Sequence, residues 1–314
     1  MLKRSLFYAK ILLFGEYGII EDSMGLSIPF NKFNGALRID DNTGDALAIA
    51  SNKDIREFYQ YLDMLRRNNE LPCAIDFNTL WQDIEKGLYF DSSIPQGFGV
   101  GSSGALVASI YDKYCTDKIV IEQHQKGDEI LMLKQVFSKM ESFFHGKSSG
   151  LDPLICYLNL PILIKSKTNL DTVGLPTPNE EGKGAIFLMD SGIPGQTHNM
   201  VSIFLEKCKN EGFRNLIKHQ FKKYNDECID AFLKKDFKPL FSSLKKLSQL
   251  VYDNFSPMIP DNYKKLWKEG IETNSYYLKL CGSGGGGFIL GFTQDYAQAA
   301  EKLKLQQLQV IYKF

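Results

Sequence analysis

The chain has 314 residues, and its 37 Lys and Arg balance its 37 Asp and Glu, so its formal net charge at pH 7 is +0. This length exceeds one average domain and favours two, while 44% hydrophobic and 24% charged residues are typical of a globular protein. Because the charge is balanced and no basic stripe stands out, the sequence argues against binding to nucleic acid or to an anionic membrane surface.

The N-terminus and the cysteines point to a cytoplasmic protein. MLKRSLFYAKILLFGEYG begins like a signal peptide, but Gly15-Glu16 interrupts it, and no apolar run reaches the ~18–20 residues of a membrane span. The six cysteines are scattered, with no CxxC and no neighbouring histidine pair. This pattern argues against a zinc site and predicts reduced thiols.

The first half of the chain alternates short strands with amphipathic helices. FYAKILLFGEYGII predicts an early strand broken at Gly15, and GLSIPF and GALRID predict two more short strands. Helical spacing of apolar residues predicts a helix over 53–68, another from about Ala105 to Cys115 after a glycine-rich loop, and a third in DEILMLKQVFSKMESFF.

The stretch 165–184 is rich in Pro, Gly and polar residues and predicts a boundary between domains 1–180 and 181–314. Beyond it, GAIFLMDSG predicts a strand, followed by long helices to about residue 252. The chain then reads strand–turn–strand in YYLKLCGSGGGGFILGF, a helix in TQDYAQAAEKLK and a last strand in LQVIYKF. Strands and helices mix without a strict βαβ rhythm, which predicts the α+β class.

The loop PQGFGVGSSGALVAS, at residues 95–109, suits a phosphate. Glycines let the backbone approach an anion and point successive N–H groups at it, and a helix that starts there adds its free N–H groups and its dipole. The alternative is a glycine-rich turn with a serine as helix N-cap. GKS at 146–148 lacks the glycine that a P-loop needs, and no βαβ unit surrounds the loop as in a dinucleotide fold.

A second glycine run, KLCGSGGGGFILGF at 279–292, has apolar residues on both sides. Either it is a disordered or simply tight turn, or it is a second backbone surface that packs against the first loop or against phosphates.

Three charged residues fit phosphoryl transfer, although each also has an ordinary structural interpretation. Glu141 could bind Mg²⁺ and Asp152 could accept a proton from a hydroxyl, but either alone could be a solvated surface acid. Lys10, inside an apolar strand, either extends to solvent or serves a buried anionic site. His145 could instead cap or pack, and Glu16 and Tyr17 could be structural.

In their order along the chain, three motifs resemble those of the GHMP small-molecule kinases. They are AKILLFGEYGII, PQGFGVGSSGALVAS and KLCGSGGGGFILGF, spanning residues from about 8 to 292. Within that family, HGKSSGLD is similar to the mevalonate kinase signature HGxxSGxD. The spacing of eleven between Glu141 and Asp152 also matches these kinases.

The resemblance implies two α+β domains, one like ribosomal protein S5 domain 2 and one ferredoxin-like, with ATP and acceptor meeting in the cleft between them. It implies that Ser103 and Glu141 bind Mg²⁺–ATP, that Asp152 acts on the substrate hydroxyl, and that Lys10 lowers the pKa of that hydroxyl. The ATP-binding residues implied are Pro95, Gly97, Gly99, Val100, Gly101, Ser102, Ser103 and Gly104, and the candidates on the substrate side are Glu16, Tyr17, His145, Ser149, Gly282, Ser283 and Gly284.

The expected activity is therefore ATP-dependent phosphorylation of a hydroxyl on a small carboxylic acid, with mevalonate as the leading acceptor. Two departures bear on this expectation. Tyr17 stands where mevalonate kinases usually have His and where phosphomevalonate kinases often have Tyr, and Asn159-Leu160 replaces a usual Gly-Gly. Gly104 stands where Ala is common. A phosphomevalonate kinase, a kinase for another acceptor and a non-catalytic ligand sensor remain alternatives, and whether the chain forms a homodimer is left open.

Overall fold

The structure is a computed structural model that describes residues 5–39, 44–119, 127–195 and 197–314. The chain divides into two compact units. The first unit contains residues up to 10, 29–95 and 101–160, and the second contains 11–28, 96–100 and 161–314. Strands and helices are mixed in the described residues, so the α+β class is confirmed.

The first part of the chain folds into strands β1 to β3 and helices α1 to α5. Their bounds are β1 Phe7–Phe14, β2 Gly25–Ile39, α1 Ala46–Arg67, α2 Phe77–Glu85, β3 Leu88–Ser92, α3 Ser102–Tyr114, α4 Gly127–His145 and α5 Leu151–Leu158.

The remaining elements belong to the second unit. They are β4 Ile162–Ser166, β5 Asn169–Thr172, β6 Ala185–Asp190, α6 Thr197–Lys207, α7 Glu211–Leu216, a π turn Ile217–Phe221, α8 Lys222–Leu233, α9 Phe237–Asn254, α10 Asp261–Thr273, β7 Tyr277–Leu280, β8 Phe288–Thr293, α11 Tyr296–Lys302 and β9 Leu308–Lys313.

Within the first unit, three helices pack around an aromatic cluster. Tyr111 of α3 meets Phe137 of α4 edge-on at a ring-centroid distance of 5.0 Å, and Phe137 meets Tyr157 of α5 at 5.6 Å. The apolar positions that predicted α1 and α4 face this unit's interior, with Phe58 and Phe137 buried. The cluster holds α3, α4 and α5, the three helices that carry the candidate site, against one another.

The second unit is built on an antiparallel sheet with strand order β7-β8-β6-β9. Strand β6 lies between β8 and β9. Leu188 of β6 pairs with Leu290 of β8 on one side and with Gln309 of β9 on the other. All six residues of β8 are buried. Such a run of buried residues indicates that both faces of the sheet are covered.

The expectation of two short strands over GLSIPF and GALRID is wrong, because β2 is one continuous strand of 15 residues. Its first part, Gly25–Ser27, pairs with β4, and its last part, Gly35–Ile39, pairs with β3. Pro29 lies between these two paired stretches, where its missing N–H breaks neither of the two ladders. The residues NKFN between the two quoted segments are thus part of the same strand.

Part of the stretch 165–184 is a hairpin, since Ile164 of β4 pairs with Leu170 of β5. The division into domains 1–180 and 181–314 stays a prediction, as do the two named domain types. Across the ranges that the structure describes, no helix combines the length and the apolar character that crossing a membrane requires.

Candidate active site

A buried lysine and a partly exposed aspartate form an ion pair in the first unit. Lys10 Nζ on β1 lies 2.8 Å from Asp152 Oδ1, in the first turn of α5. The Lys10 side chain is only 5% exposed, whereas that of Asp152 is 37% exposed. Lys10 therefore does not extend to solvent, and its charge is directed at a carboxylate that a ligand can still reach.

A second carboxylate, Glu141 near the end of α4, is buried within the same unit. Ser103 Oγ lies 3.4 Å from its Oε1, and Ser148 Oγ donates a hydrogen bond to its Oε2. The Nε2 atom of His145 lies 3.1 Å from Ser103 Oγ. The structure thus brings together Ser103 and Glu141, the two residues expected to bind Mg²⁺, and places His145, a substrate-side candidate, beside Ser103.

Burial raises the pKa of Glu141 to about 8, and the nearby Asp152 carboxylate adds to the rise, against hydrogen bonds from Ser148 and Ser103 and the charge of Lys10. Burial destabilises the ionised form of such a carboxylate, and a bound cation would stabilise that form by replacing the proton. Burial lowers the pKa of His145, although Asp152 opposes this shift. A neutral imidazole is therefore the favoured form beside Ser103 at pH 7.

The oxygen donors here fit Mg²⁺ held jointly with phosphates. Mg²⁺ takes one or two protein carboxylates and completes its shell with substrate phosphates and water. Glu141 and the hydroxyl of Ser103 supply such a partial set. Of the residues whose positions are described, no group of three or more His, Cys, Asp or Glu is arranged to hold a metal unaided.

Helix α3 begins at Ser102, three residues earlier than expected, with Gly101 as the N-cap residue at φ 82°. The alternative of a serine N-cap is therefore wrong, because a glycine occupies the capping position. The first intrahelical bond runs from Ala105 N to Gly101 O, so the N–H groups of Ser102, Ser103 and Gly104 have no partner within the helix. The glycine at the N-cap and the N–H groups without an intrahelical partner both suit the binding of an anion.

Gly104 lets α3 pack directly on the start of α5. A Cβ at this position would lie 2.8 Å from the backbone carbon of Asp152 and 2.8 Å from Pro153 N. The departure from the more common Ala thus has a packing reason here. Because α3 and α5 meet at Gly104 without a side chain between them, the first turn of α3, with Ser102 and Ser103, packs against the first turn of α5, with Asp152.

Residues 96–100 of the glycine-rich loop belong to the second unit, where they pack on the second glycine run. A Cβ on Gly99 would lie 2.4 Å from Cys281 O, and one on Gly287 would lie 2.6 Å from Phe98 Cα. Gly195 N also donates to Gly97 O at 2.7 Å. The second run is therefore a backbone surface packed against the first loop, which settles that alternative.

Two substrate-side candidates, Glu16 and Tyr17, bond to residues around that second run. Glu16 forms a fully buried ion pair with Lys279, and Tyr17 donates from its hydroxyl to Ser283 O at 2.5 Å. Burial raises the pKa of Glu16, against the charge and hydrogen bond of Lys279.

The other candidates lie apart from these bonds or contribute backbone alone. Ser149 is exposed, and its Oγ accepts a hydrogen bond from Leu151 N at 3.4 Å. Val100 is buried, Pro95 and Ser102 are half-buried, and Gly282 and Gly284 have positive φ values of 73° and 72°. The roles assigned to all of these residues stay predictions.

Sequence reasoning missed Ser148 and Lys279. Ser148 stands in the quoted HGKSSGLD segment, and Lys279 lies within the apolar strand YYLKLC. The signal that singled out Lys10, a lysine inside an apolar strand, would also have found Lys279.

No protein-family model matches the chain, and no curated protein matches its sequence. Solved structures do match it over nearly its whole length. A Lactococcus lactis galactokinase complexed with galactose has a TM-score of 0.64 at 15% identity, covering 99% of this chain and 94% of that one. The chain has the fold of the GHMP small-molecule kinases.

Two further structures with the GHMP kinase fold are complexes with small molecules. An L. major mevalonate kinase in complex with R-mevalonate has a TM-score of 0.60 at 14% identity, covering 97% of this chain and 91% of that one. A Streptococcus pneumoniae phosphomevalonate kinase with phosphomevalonate and AMPPNP has a TM-score of 0.60 at 12% identity, covering 98% of both chains. The family that the motifs suggested and the observed fold therefore agree.

Proposed function

We propose that the protein is an ATP-dependent kinase that phosphorylates a hydroxyl of a small carboxylic acid, with mevalonate as the leading acceptor. The observation that carries this proposal is the Lys10–Asp152 ion pair, with one buried and one accessible partner. Its neighbours in the first unit, Glu141 and Ser103, add the oxygen ligands that a nucleotide-bound cation needs. The GHMP kinase fold and the three motifs support the same activity.

Asp152 is placed to accept the proton of the acceptor hydroxyl. Its side chain is accessible, and the ammonium of Lys10, 2.8 Å from Oδ1, would stabilise negative charge that develops on the acceptor oxygen. Most of the rate enhancement would come from such positioning and electrostatics, because phosphoryl transfer needs little covalent help from the protein.

The phosphates of ATP would lie at the glycine-rich loop and the start of α3. There, the N–H groups of Ser102, Ser103 and Gly104, which have no partner within the helix, and the helix dipole favour an anion. Mg²⁺, when bound, would neutralise phosphate charge, and Glu141 and Ser103 would hold it. Ser148 would orient Glu141 through its hydrogen bond to Oε2.

The second candidate function is a phosphomevalonate kinase, and Tyr17 in place of His favours it. The mevalonate signature HGKSSGLD favours the first candidate. The two differ only in the acceptor and share the nucleotide, the base and the metal ligands.

A panel assay of ADP release tests both candidates. Purified protein with Mg²⁺–ATP receives mevalonate, 5-phosphomevalonate, galactose or homoserine, one at a time. We expect turnover with mevalonate, and turnover with phosphomevalonate alone would select the second candidate. Turnover with galactose or homoserine alone would reject both acceptors and retain the kinase.

A further inference from the structure

The backbone at Tyr17 is held in an uncommon conformation. Its φ of 60° lies in the left-handed region that a bulky side chain rarely adopts. Its ring is buried and stacks on Phe204 at a centroid distance of 4.6 Å and lies 5.6 Å from Phe255. A strained residue that its surroundings hold so firmly indicates a function for its position.

The hydroxyl of Tyr17 is already engaged, because it donates to Ser283 O at 2.5 Å. The preceding residue, Glu16, is paired with Lys279, whose side chain is 0% exposed. Residues 16 and 17 therefore bond to positions 279 and 283, on the two sides of Cys281. Together, Glu16 and Tyr17 hold residues 279–283, the first part of the second glycine run, from both sides of Cys281.

Cys281 is the point at which the second run meets the first loop. Its carbonyl oxygen occupies the space that a Gly99 side chain would need, at 2.4 Å from an ideal Cβ. Gly282 faces Gly99 in the same way, with 3.3 Å between its own ideal Cβ and Gly99 Cα. A shift of residues 279–283 would therefore move Gly99 or leave it unsupported.

We infer that Tyr17 is a positioning residue for the nucleotide loop: its bond to Ser283 fixes the second glycine run, and this run fixes residues 96–100. This inference rests on the proposed function for the statement that the loop binds ATP. The sequence analysis named Tyr17 as a candidate for contact with the substrate, and this inference gives it a different role.

The test is Tyr17→Phe, which keeps the ring and its stacking and removes only the hydroxyl. The matched control is Tyr312→Phe. Tyr312 is also 6% exposed and also donates to a backbone carbonyl, Pro176 O, at 2.7 Å in the same unit. Any general effect of losing a buried tyrosine hydroxyl would appear equally in both variants.

We expect Tyr17→Phe to raise the KM for ATP and the dissociation constant of a fluorescent ATP analogue by roughly 3–10-fold, the size of one hydrogen bond. The KM for the acceptor should stay within about twofold, and Tyr312→Phe should change neither constant. A rise in the acceptor KM alone, or equal changes in both variants, would overturn the inference.

Hydrogen exchange separates this inference from the proposed function. In Tyr17→Phe, amides of residues 96–100 and 281–287 should exchange faster than in the wild type, and in Tyr312→Phe they should not. Unchanged exchange there would overturn the inference even if the protein is a kinase. Faster exchange in a protein that binds no nucleotide would support the positioning role of Tyr17 and reject the proposed function.

Discussion

The Lys10–Asp152 pair makes Asp152 the residue on which the proposed chemistry depends most. Asp152→Asn keeps the shape of the side chain but cannot accept the proton, so we expect turnover to fall by roughly 10²–10⁴-fold. Binding of the nucleotide, measured with a fluorescent analogue, should persist.

The matched control is Asp91→Asn, which removes one partner of the ion pair between Arg38 and Asp91, at 2.6 Å. Both of those side chains are more than 40% exposed, at 43% and 46%, and we expect no loss of turnover. If Asp152→Asn turned over as fast as the wild type, Asp152 would not be the base.

The raised pKa of Glu141 predicts a pH-dependent cost to stability without nucleotide. Between its ordinary value of 4.5 and about 8, the folded state retains a proton that the unfolded state has lost. The free energy of unfolding should therefore fall as the pH rises through this window, by at most about 1.4 kcal/mol per pH unit.

Glu141→Gln should abolish that slope, since an amide does not titrate. We expect the variant to be more stable than the wild type at pH 8 and to gain less from Mg²⁺–ATP in a thermal melt. Parallel stability curves for the two proteins between pH 5 and pH 8 would contradict the assignment of a raised pKa to Glu141.

Of the residues named from sequence, Lys10 carried a signal of its own, a lysine inside an apolar strand. Glu141 alone could have been a solvated surface acid, and the family resemblance supplied its role and that of Ser103. The partners Ser148 and Lys279 were not predicted, because which carboxylate a given side chain meets depends on packing between distant segments.

At the scale of elements, the contact between the two glycine loops makes a specific prediction for Gly99. Gly99 and Gly192 have nearly equal φ values of 76° and 77°, but a Cβ at Gly192 would meet no atom of the described residues within 4 Å. Gly192→Ala should therefore show only the left-handed backbone cost, about 1–2 kcal/mol.

Gly99→Ala should cost about 1–3 kcal/mol more than that control, because its Cβ would overlap Cys281 O. Urea denaturation of both variants measures the difference in the free energy of unfolding. Equal losses would mean that the two loops separate easily and that their contact contributes little.

The buried ion pair joins Glu16, two residues after the end of β1, to Lys279 of β7 at the start of the second glycine run. Lys279→Met would leave a buried carboxylate whose Oε2 already lacks a hydrogen-bond partner among the residues that the structure describes, so we expect a loss of about 3–5 kcal/mol. The double variant Glu16→Leu with Lys279→Met should lose less than the sum of the single variants, with a coupling of about 1–3 kcal/mol.

The exposed pair Lys268–Glu272, 3.7 Å apart on α10, is the control for this cycle. It should show a coupling of about 0.3–0.5 kcal/mol. Similar coupling in the two cycles would show that burial adds nothing to the Glu16–Lys279 interaction.

Helical periodicity predicted the elements that pack by one apolar face. The buried faces of α1 and α4 were read correctly, whereas the start of α1 at Ala46 was placed seven residues too late. There the helix extends through ALAIASN, which has little amphipathic pattern, and Asp45 caps it by accepting from Leu47 N. Strand β2 was predicted as two short strands, although the polar residues NKFN continue it without a break.

At the scale of the whole molecule, the α+β class followed from the order of the elements, but the site did not. Lys10, Ser103, Glu141 and Asp152 are separated by up to 142 residues in the sequence, and no local pattern indicates that they meet. The family resemblance supplied that step, and the geometry within the first unit agrees with it. The acceptor was not determined, because acceptor pockets are assembled from dispersed side chains.

The most direct test of the central claim follows the γ-phosphate itself. Purified protein with Mg²⁺ and ATP carrying a radiolabelled γ-phosphate is incubated with mevalonate, and the products are separated from ATP. The account predicts a labelled phosphate ester with wild-type protein and at least about a hundredfold less with Asp152→Asn. A wild-type protein that binds no nucleotide and labels none of mevalonate, 5-phosphomevalonate, galactose and homoserine would contradict it.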